Sequence, residues 1–453
     1  MSKKIDLNKL VKNAGFAGHP DFVTIIKDAL SMYDRGDDPN TILAVLKLRY
    51  SSNSIKMRDN RVPVEFFGEM GVDFGADVDH QISEAAKLPV AVRAAVMPDA
   101  HLGYALPIGG VIALENAISP HFVGFDIACR MSCSVLAISP DEFMGYRSKL
   151  FEDLKAVTSF GVGSDFDIIN YREDPVMADP MWYENKTVAK YYPLAVKQLG
   201  SSGGGNHFAD IMIGTVTAPS EKLPLAVGTR FVCLVTHSGS RGVGHKLATH
   251  YSKVAVDWVK HNARGIPKGY EWLPMDCDAG REYWDVMQLM GRYARANHHA
   301  IHREFCNRTG ISVISFHENH HNFAWEENGL YVHRKGATPA ALGDFGIIPG
   351  SMGTASYLVE GLGNPDSLNS ASHGAGRVSS RTVAKKEFNE EEYSSHVESH
   401  DILVSGVEKD ESYQAYKNID RVIDVQERSG LLRVVARMLP KVVIMGGKSD
   451  DGD

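Results

Sequence analysis

Five short stretches of this sequence carry side chains whose types and spacing suit chemistry better than packing. Asp126 and Cys129 stand three residues apart in GFDIACRM, so a carboxylate and a thiol can converge on one ion if the backbone turns between them. In SSGGGNH (201–207) three glycines permit positive φ and close backbone approach, which can aim N–H groups at phosphate oxygens; Asn206 and His207 end the stretch. In THSGSRG (236–242), His237 follows the apolar run VCLV and Arg241 precedes an expected helix. A helix N-terminus attracts anions, and a guanidinium adds a forked donor for phosphate. His317, His320, His321 and Asn322 share the segment HENHHN after another apolar run. In SASHGAGR (370–377), His373 stands among small residues with Arg377 close behind. To act as a nucleophile it needs one neutral nitrogen, with the other held by a carboxylate or carbonyl.

Each stretch also has a plain structural reading: a capping aspartate near a buried cysteine, a glycine linker, a serine-rich helix cap, a polar turn. Taken together they point further. One thiol, three imidazoles and a carboxylate suit a transition metal better than Mg²⁺ or Ca²⁺. Glycine loops and arginines suit phosphates. A cluster holding both suggests metal-assisted phosphoryl or nucleotidyl transfer. His298, His299 and His302, inside one expected helix, and His245 and His250, inside another, read instead as structural or solvent-facing.

These residues must be positioned by elements the pattern also suggests. Residues 20–50 read as two short amphipathic helices broken at Asp37–Asp38–Pro39, and 79–89 as another. From about residue 93 short apolar strands alternate with glycine-rich turns. Long helices are expected from about Val243 to Asn262 and from about Arg281 to Asn307, the second with a stripe of Trp284, Met287, Leu289, Met290, Tyr293 and Ala294. RFVCLVTH, GISVISFH and LYVHRKG read as strands ending in polar turns. No repeat and no clean βαβ alternation is visible, so the expected fold class is α+β with several sheets and surrounding helices. The tail after Gly446, GKSDDGD, is polar and expected to fray.

Composition bounds the functional class. The 453 residues are 43% hydrophobic and 23% charged, as in an ordinary soluble protein. With 48 basic and 56 acidic residues the net charge is −8, so any nucleic-acid contact must come from a local basic patch. The five cysteines, Cys129, Cys133, Cys233, Cys277 and Cys306, are scattered and fit a reducing, cytoplasmic setting rather than a disulfide scaffold. The start MSKKIDLNKL lacks the apolar core of a signal peptide. No run approaches ~18 apolar residues, so no membrane span is expected.

The stretches MPDAHLGYALPIGG, GFDIACRM, GGGNHF, HSGSRGVG, HHNF, HRKGAT, PGSMGTASY and SHGAGR occur in this order. They resemble the successive motifs of the RtcB family of 3′-phosphate/5′-hydroxyl RNA ligases, from about residue 60 to Gly446. The resemblance implies one large catalytic domain over 1–446, with a weakly matched helical part at 1–55 and a polar tail at 447–453. It implies two Mn²⁺ ions, GTP, and RNA bearing a 3′-phosphate or 2′,3′-cyclic phosphate at one end and a 5′-hydroxyl at the other. By the same resemblance Cys129 bridges the metals, one of which takes Asp126 and His237 and the other His207 and His321. His373 attacks the α-phosphate of GTP, and Asp99 holds its other nitrogen. The implied nucleotide pocket comprises Asn206, His207, Asp210, His321, Asn322, Pro349, Gly350, Ser351, Met352, Ser356, Gly374, Ala375, Gly376, Arg377 and Tyr416, the last stacking on guanine. Arg241 and Arg377 are candidates for phosphates or RNA ends.

The chain departs from the family pattern in four places. Met445-Gly446 stands where a Lys-Gly is usual, with Lys448 further on. Asp210 replaces the more frequent Glu, Arg130 replaces a glycine beside the bridging cysteine, and the segment from Ser356 to His373 is about two residues short. These bear on guanine preference and on the choice of RNA. The alternatives to a ligase are a 3′-phosphate guanylyltransferase that caps ends but seals weakly, a metal-dependent RNA-binding protein without catalysis, and a dinuclear metallohydrolase. The sequence leaves open whether an archease-like activating protein is a partner.

Overall fold

The computed structural model describes residues 6–17, 22–50, 55–161, 163–166 and 172–447. Lys448 and the rest of the expected tail lie outside the described residues. Two compact units emerge, one of residues 1–57 and 257–266 and the other of residues 58–256 and 267–453.

In the first unit the expected helix pair forms as α1 (Phe22–Asp34) and α2 (Pro39–Tyr50). Asp38 starts α2 by accepting from the N–H groups of Asn40 and Thr41, which a helix start otherwise leaves unsatisfied. Ile25, Ala29 and Met32 of α1 recur at helical spacing and bury against Ile42 and Leu46.

All candidate site residues belong to the second unit. Its principal helices are α3 (Ala76–Ala86), α4 (Pro140–Val157), α5 (Arg241–Asn262, its last residues in the first unit), α6 (Asp278–Thr309), α7 (Glu390–Ser399) and α8 (Ile419–Arg428). Its principal strands are β1 (Val64–Phe66), β2 (Ala91–His101), β3 (Ile108–Leu114), β4 (Arg130–Leu136), β5 (Phe208–Val216), β6 (Arg230–Ser238), β7 (Val313–His320), β8 (Phe323–Glu327), β9 (Leu330–Lys335), β10 (Phe345–Ile348), β11 (Ser356–Gly361), β12 (Leu403–Ser405) and β13 (Leu432–Met445). One sheet runs β8-β9-β3-β2-β1, and the larger runs β7-β4-β6-β5-β13-β11-β10 with β12 on β13. The class is α+β, as expected. Among the described residues no helix is long and apolar enough to cross a membrane.

Strand alternation in the larger sheet explains why FVCLV (231–235) is apolar throughout. Successive side chains of a strand point to opposite faces. Cys233 and Val235 of β6 pack with Met131, Cys133, Met212 and Val435 on one face. Val232 and Leu234 pack on the other, under Phe143, Leu150 and Leu154 of α4 and Phe305 of α6. Both faces are buried, so both sets must be apolar. Register then determines where the polar residues fall. His237 of β6 pairs with Phe208 of β5 and with Met131 of β4. His320 of β7 pairs with Arg130 of β4, and Met445 of β13 with Phe208. Antiparallel neighbours thus gather the start of β4, the start of β5 and the ends of β6, β7 and β13 at one edge.

Candidate active site

That edge carries the side chains that could hold a metal ion. Cys129 Sγ lies 3.0 Å from His237 Nε2 and 3.5 Å from His207 Nε2. His207 Nε2 lies 3.0 Å from Asp126 Oδ2, and His237 Nε2 lies 3.4 Å from His321 Nε2. Two groups share the thiol: Cys129 with His237 and His321, and Cys129 with Asp126 and His207. All five expected ligands therefore meet. The grouping puts His237 beside His321 and His207 beside Asp126, where the resemblance had divided them the other way.

The backbone is shaped for this convergence. Ala128 and Asn322 adopt left-handed conformations, at φ 56° and 55°. Ala128 N–H donates to Asn322 O and His321 N–H to Cys129 O, each at 2.9 Å, which ties the two ligand loops together. His237 Nδ1 lies 3.1 Å from Asn206 O. With the proton there, donated to the carbonyl, Nε2 is left bare for an ion. Burial and the charge of His207 press the His237 imidazole down to about 3, and burial with the charge of His373 presses His321 well below its usual value. Both are neutral at physiological pH, as ligation requires. Burial alone would raise the Asp126 carboxyl, but its contacts with His207, Cys129 and Arg241 outweigh that and hold it ionised. One sulfur, three imidazole nitrogens and a carboxylate oxygen fit a transition metal.

Arg241 opens α5 and is engaged within the protein. It donates from Nη1 to His207 Nδ1 (3.3 Å) and from Nε to Ser201 Oγ (3.2 Å). Arg130 is buried against Glu318, its Nη1 3.1 Å from Oε2, in a cluster with Arg295 and His299. His298 and His302, read as structural, do lie behind the site, both bonded to Thr236 Oγ1 (2.6 and 2.9 Å) on the opposite face of β6 from His237.

The smaller sheet supplies the second half. Asp99, near the end of β2, is fully buried, and its Oδ2 lies 2.8 Å from His373 Nδ1. His373 follows strand Ser370–Ser372, which pairs with Ala337–Pro339 just beyond β9. Gly376 closes the turn at φ 76°, and a Cβ there would stand 2.1 Å from Asp99 O, so only glycine lets the HGAG loop lie against β2. Burial would raise the Asp99 carboxyl, but the hydrogen bond and charge of His373, with the charge of Lys417, hold it below its usual range. The His373 and His321 rings are 4.7 Å apart, which joins the histidine to the metal cluster.

A cleft of about 930 Å³ opens over His373 and His237, within the size range of small-molecule sites. Of the expected nucleotide pocket, Asn206, Asp210, Pro349, Gly350, Ser351, Met352, Ser356, Gly374, Ala375, Gly376, Arg377 and Tyr416 line it. His207 and His321 sit in the metal cluster below. Asn322 turns inward, its Oδ1 accepting from Gly336 N–H at 2.8 Å. Arg377 lies 5.4 Å over the Tyr416 ring and donates to Asp410 O (2.8 Å), and the Tyr416 hydroxyl donates to Glu411. Asp210 is buried opposite Val443 of β13, and burial pushes its carboxyl well up.

Sequence reasoning missed Lys417. Its Nζ donates to Asp73 O (2.5 Å) and Ala100 O (2.6 Å) and so fixes the strand end that bears Asp99. It missed Gln81 and His396 as well. Each of the three acts on backbone carbonyls of distant segments, which leaves no local pattern to read.

A cluster able to hold metal, joined through a carboxylate-held histidine to a nucleotide-sized cleft, is the kind of site that suits phosphoryl or nucleotidyl transfer. The family model described as tRNA-splicing ligase RtcB matches residues 81–186 and 181–446. The RNA-splicing ligase RtcB of Escherichia coli K12 is 32% identical over 428 residues, covering 86% of this chain and 97% of that protein. The RNA-splicing ligase RtcB of Mycobacterium bovis is 30% identical, over 81% of this chain and all of its own length. The tRNA-splicing ligase RtcB of Methanococcus maripaludis is 29% identical, over 82% and 92%. The chain belongs to the RtcB family.

Proposed function

We propose that this protein is an RNA ligase that joins RNA 3′-phosphate or 2′,3′-cyclic phosphate ends to 5′-hydroxyl ends, with GTP as co-substrate and two Mn²⁺ ions, in RNA repair or tRNA splicing. The observation that carries the reading is the contact of His373 Nδ1 with the buried Asp99 carboxylate, 2.8 Å away, at the junction of cleft and metal cluster. Asp99 takes the Nδ1 proton as a hydrogen bond and leaves the Nε2 lone pair free. His373 Nε2 attacks the α-phosphorus of GTP, a P–N bond forms, and pyrophosphate leaves. An RNA 3′-phosphate oxygen then takes the guanylyl group and the P–N bond breaks. The 5′-hydroxyl attacks that 3′-phosphorus, loses its proton, and expels GMP. A cyclic end is first hydrolysed to the 3′-phosphate.

Asp126, Cys129, His207, His237 and His321 would hold the ions, whose bound charge would neutralise phosphate oxygens through these steps. Tyr416, the loop Pro349–Met352 and Ser356 would hold the nucleotide. The free cysteines support a reducing, cytoplasmic setting.

The test is incubation with Mn²⁺ and α-labelled GTP. Acid-labile, base-stable label on the wild type and none on His373→Ala is the expected result. No label from either GTP or ATP would overturn the reading in favour of an RNA-binding protein.

A further inference from the structure

The loop after β2 presents an aromatic side chain that the chemistry above leaves unused. Tyr104 is 59% exposed, and it is the one aromatic among the exposed described residues lining the cleft. Leaving a large ring in water contributes nothing to folding, and the chain fixes it there nonetheless. Gln81 of α3 clamps the loop through both ends of its amide: Oε1 accepts from Gly103 N–H at 3.0 Å and Nε2 donates to Gly103 O at 2.5 Å. The backbone that carries the ring is thus preorganised.

Its neighbours point to a ligand. The Phe125 ring braces Tyr104 edge-on at 6.3 Å and itself packs against His245 of α5 at 5.4 Å. Phe125 directly precedes Asp126 of the metal cluster. Lys335 Nζ, at the end of β9, is 5.9 Å from the Tyr104 ring centroid and donates to His121 O, so this buried cation holds the ring from its inner side. A fixed, exposed ring, braced by the phenylalanine that directly precedes a candidate metal-binding carboxylate, matches a nucleotide whose base stacks.

We propose that Tyr104 is the stacking platform for the terminal nucleobase of an RNA strand whose end lies at the metal cluster. The inference rests on the RNA-ligase reading for its ligand class. Stacking needs only a π-face, so the subsite reads strand ends without regard to base identity.

The test is fluorescence anisotropy with a short single-stranded RNA 3′-phosphate at fixed Mn²⁺, comparing wild type, Tyr104→Ala and Tyr104→Phe, each also with an RNA whose terminal residue is abasic. Tyr104→Ala is expected to weaken binding on the order of ten-fold. Tyr104→Phe should bind near the wild-type level, because it keeps the ring. The Ala effect should vanish on the abasic RNA. Wild-type affinity in Tyr104→Ala, equal losses in Ala and Phe, or an undiminished Ala effect on abasic RNA would each overturn the proposal. Labelling of His373 by GTP is scored separately: Tyr104-dependent binding without label would support the platform while sinking the ligase reading.

Discussion

Asp99 Oδ2 lies 2.8 Å from His373 Nδ1 and also faces the backbone N–H groups of His373 and Gly374, at 3.3 and 3.4 Å. One buried oxygen therefore orients both the imidazole and the turn that presents it. Asp99→Asn keeps the shape but removes the charge and offers an amide that can donate to Nδ1, which reverses the tautomer. The rate of His373 labelling should fall by roughly 10³–10⁴-fold, as when the orienting carboxylate of a catalytic histidine is neutralised. Single-turnover labelling with thermal melting as the folding control measures it. An unchanged rate would remove Asp99 from the mechanism.

Cys129 belongs to both ligand groups, whereas His321 belongs to one. Cys129→Ala should therefore impair both metal sites, and His321→Ala chiefly one. Metal content after Mn²⁺ loading and desalting, by mass spectrometry, should drop from about two ions toward none in the first variant and toward one in the second. Chelation of the wild type should abolish labelling, and Mn²⁺ should restore it. Two ions retained by Cys129→Ala would show that the thiol is not shared.

A Cβ on Gly203 would stand 2.3 Å from Arg241 Nη2, at a backbone φ of 113°. Gly203→Ala must displace the guanidinium that donates to His207 Nδ1 and strain its own backbone by on the order of 1–3 kcal/mol. Metal affinity should rise: while Nδ1 accepts from Arg241 the proton of neutral His207 sits on Nε2, and without the guanidinium it can move to Nδ1 and bare Nε2 for an ion. Titration of Mn²⁺ by calorimetry checks this. Unchanged or lower affinity would mean that Arg241 does not set the His207 tautomer.

How far the site could be read from sequence follows from where its residues sit. Cys129, His207, His237 and His321 stand at or just beyond the ends of strands, and a polar side chain at the end of an apolar run is visible in one dimension. The two long helices were visible for the same reason, since a helical stripe is local; they start at Arg241 and Asp278, two or three residues earlier than periodicity suggested. The order β7-β4-β6-β5-β13 was not legible. Apart from the β5–β6 pair, it depends on pairings between residues 96 to 237 positions apart, and nothing in IMIGTV or VARML names its partner. Lys417, which reaches across to residues 73 and 100, was hidden for that reason too. The split that sets residues 1–57 and 257–266 apart was also invisible, because two distant segments share it.

Acid should destabilise the fold before it protonates ordinary carboxylates. Nine histidines (His101, His121, His237, His298, His302, His317, His320, His321 and His333) are held below their usual range, chiefly by burial. His302 is pressed to about 3 and His333 to about 4. In the unfolded chain each takes a proton near pH 6.5. Between there and pH 4 the unfolded state binds more protons, so stability falls as pH falls, by up to about 1.4 kcal/mol per pH unit for each such group. Asp210 and Glu271, whose carboxyls burial raises, act with the opposite sign but are outnumbered. Urea midpoints in EDTA should drop from pH 7.5 to 5.5, and His333→Gln should make the slope shallower. A midpoint that holds or rises toward pH 5.5 would contradict the assignment.

His396 of α7 joins two segments that line the cleft. Its Nε2 donates to Gly353 O at 2.8 Å, one residue past the loop Pro349–Met352. Its ring stacks at 4.1 Å on Tyr413, three residues before Tyr416, and at 4.0 Å on His400. The contact is close enough that a Cβ on Gly353 would stand 2.7 Å from the His396 ring. His396 touches neither His373 nor the metal cluster, so its loss should loosen nucleotide binding and leave the chemical step intact. His396→Ala is expected to raise the KM for GTP several-fold to about ten-fold, the scale of one lost hydrogen bond and its packing, with the maximal labelling rate held within about two-fold. His396→Gln, which keeps a donor for Gly353 O, should recover part of the difference. Saturation kinetics of His373 labelling separate the two parameters. A fall in maximal rate at unchanged KM would instead tie α7 to the chemistry.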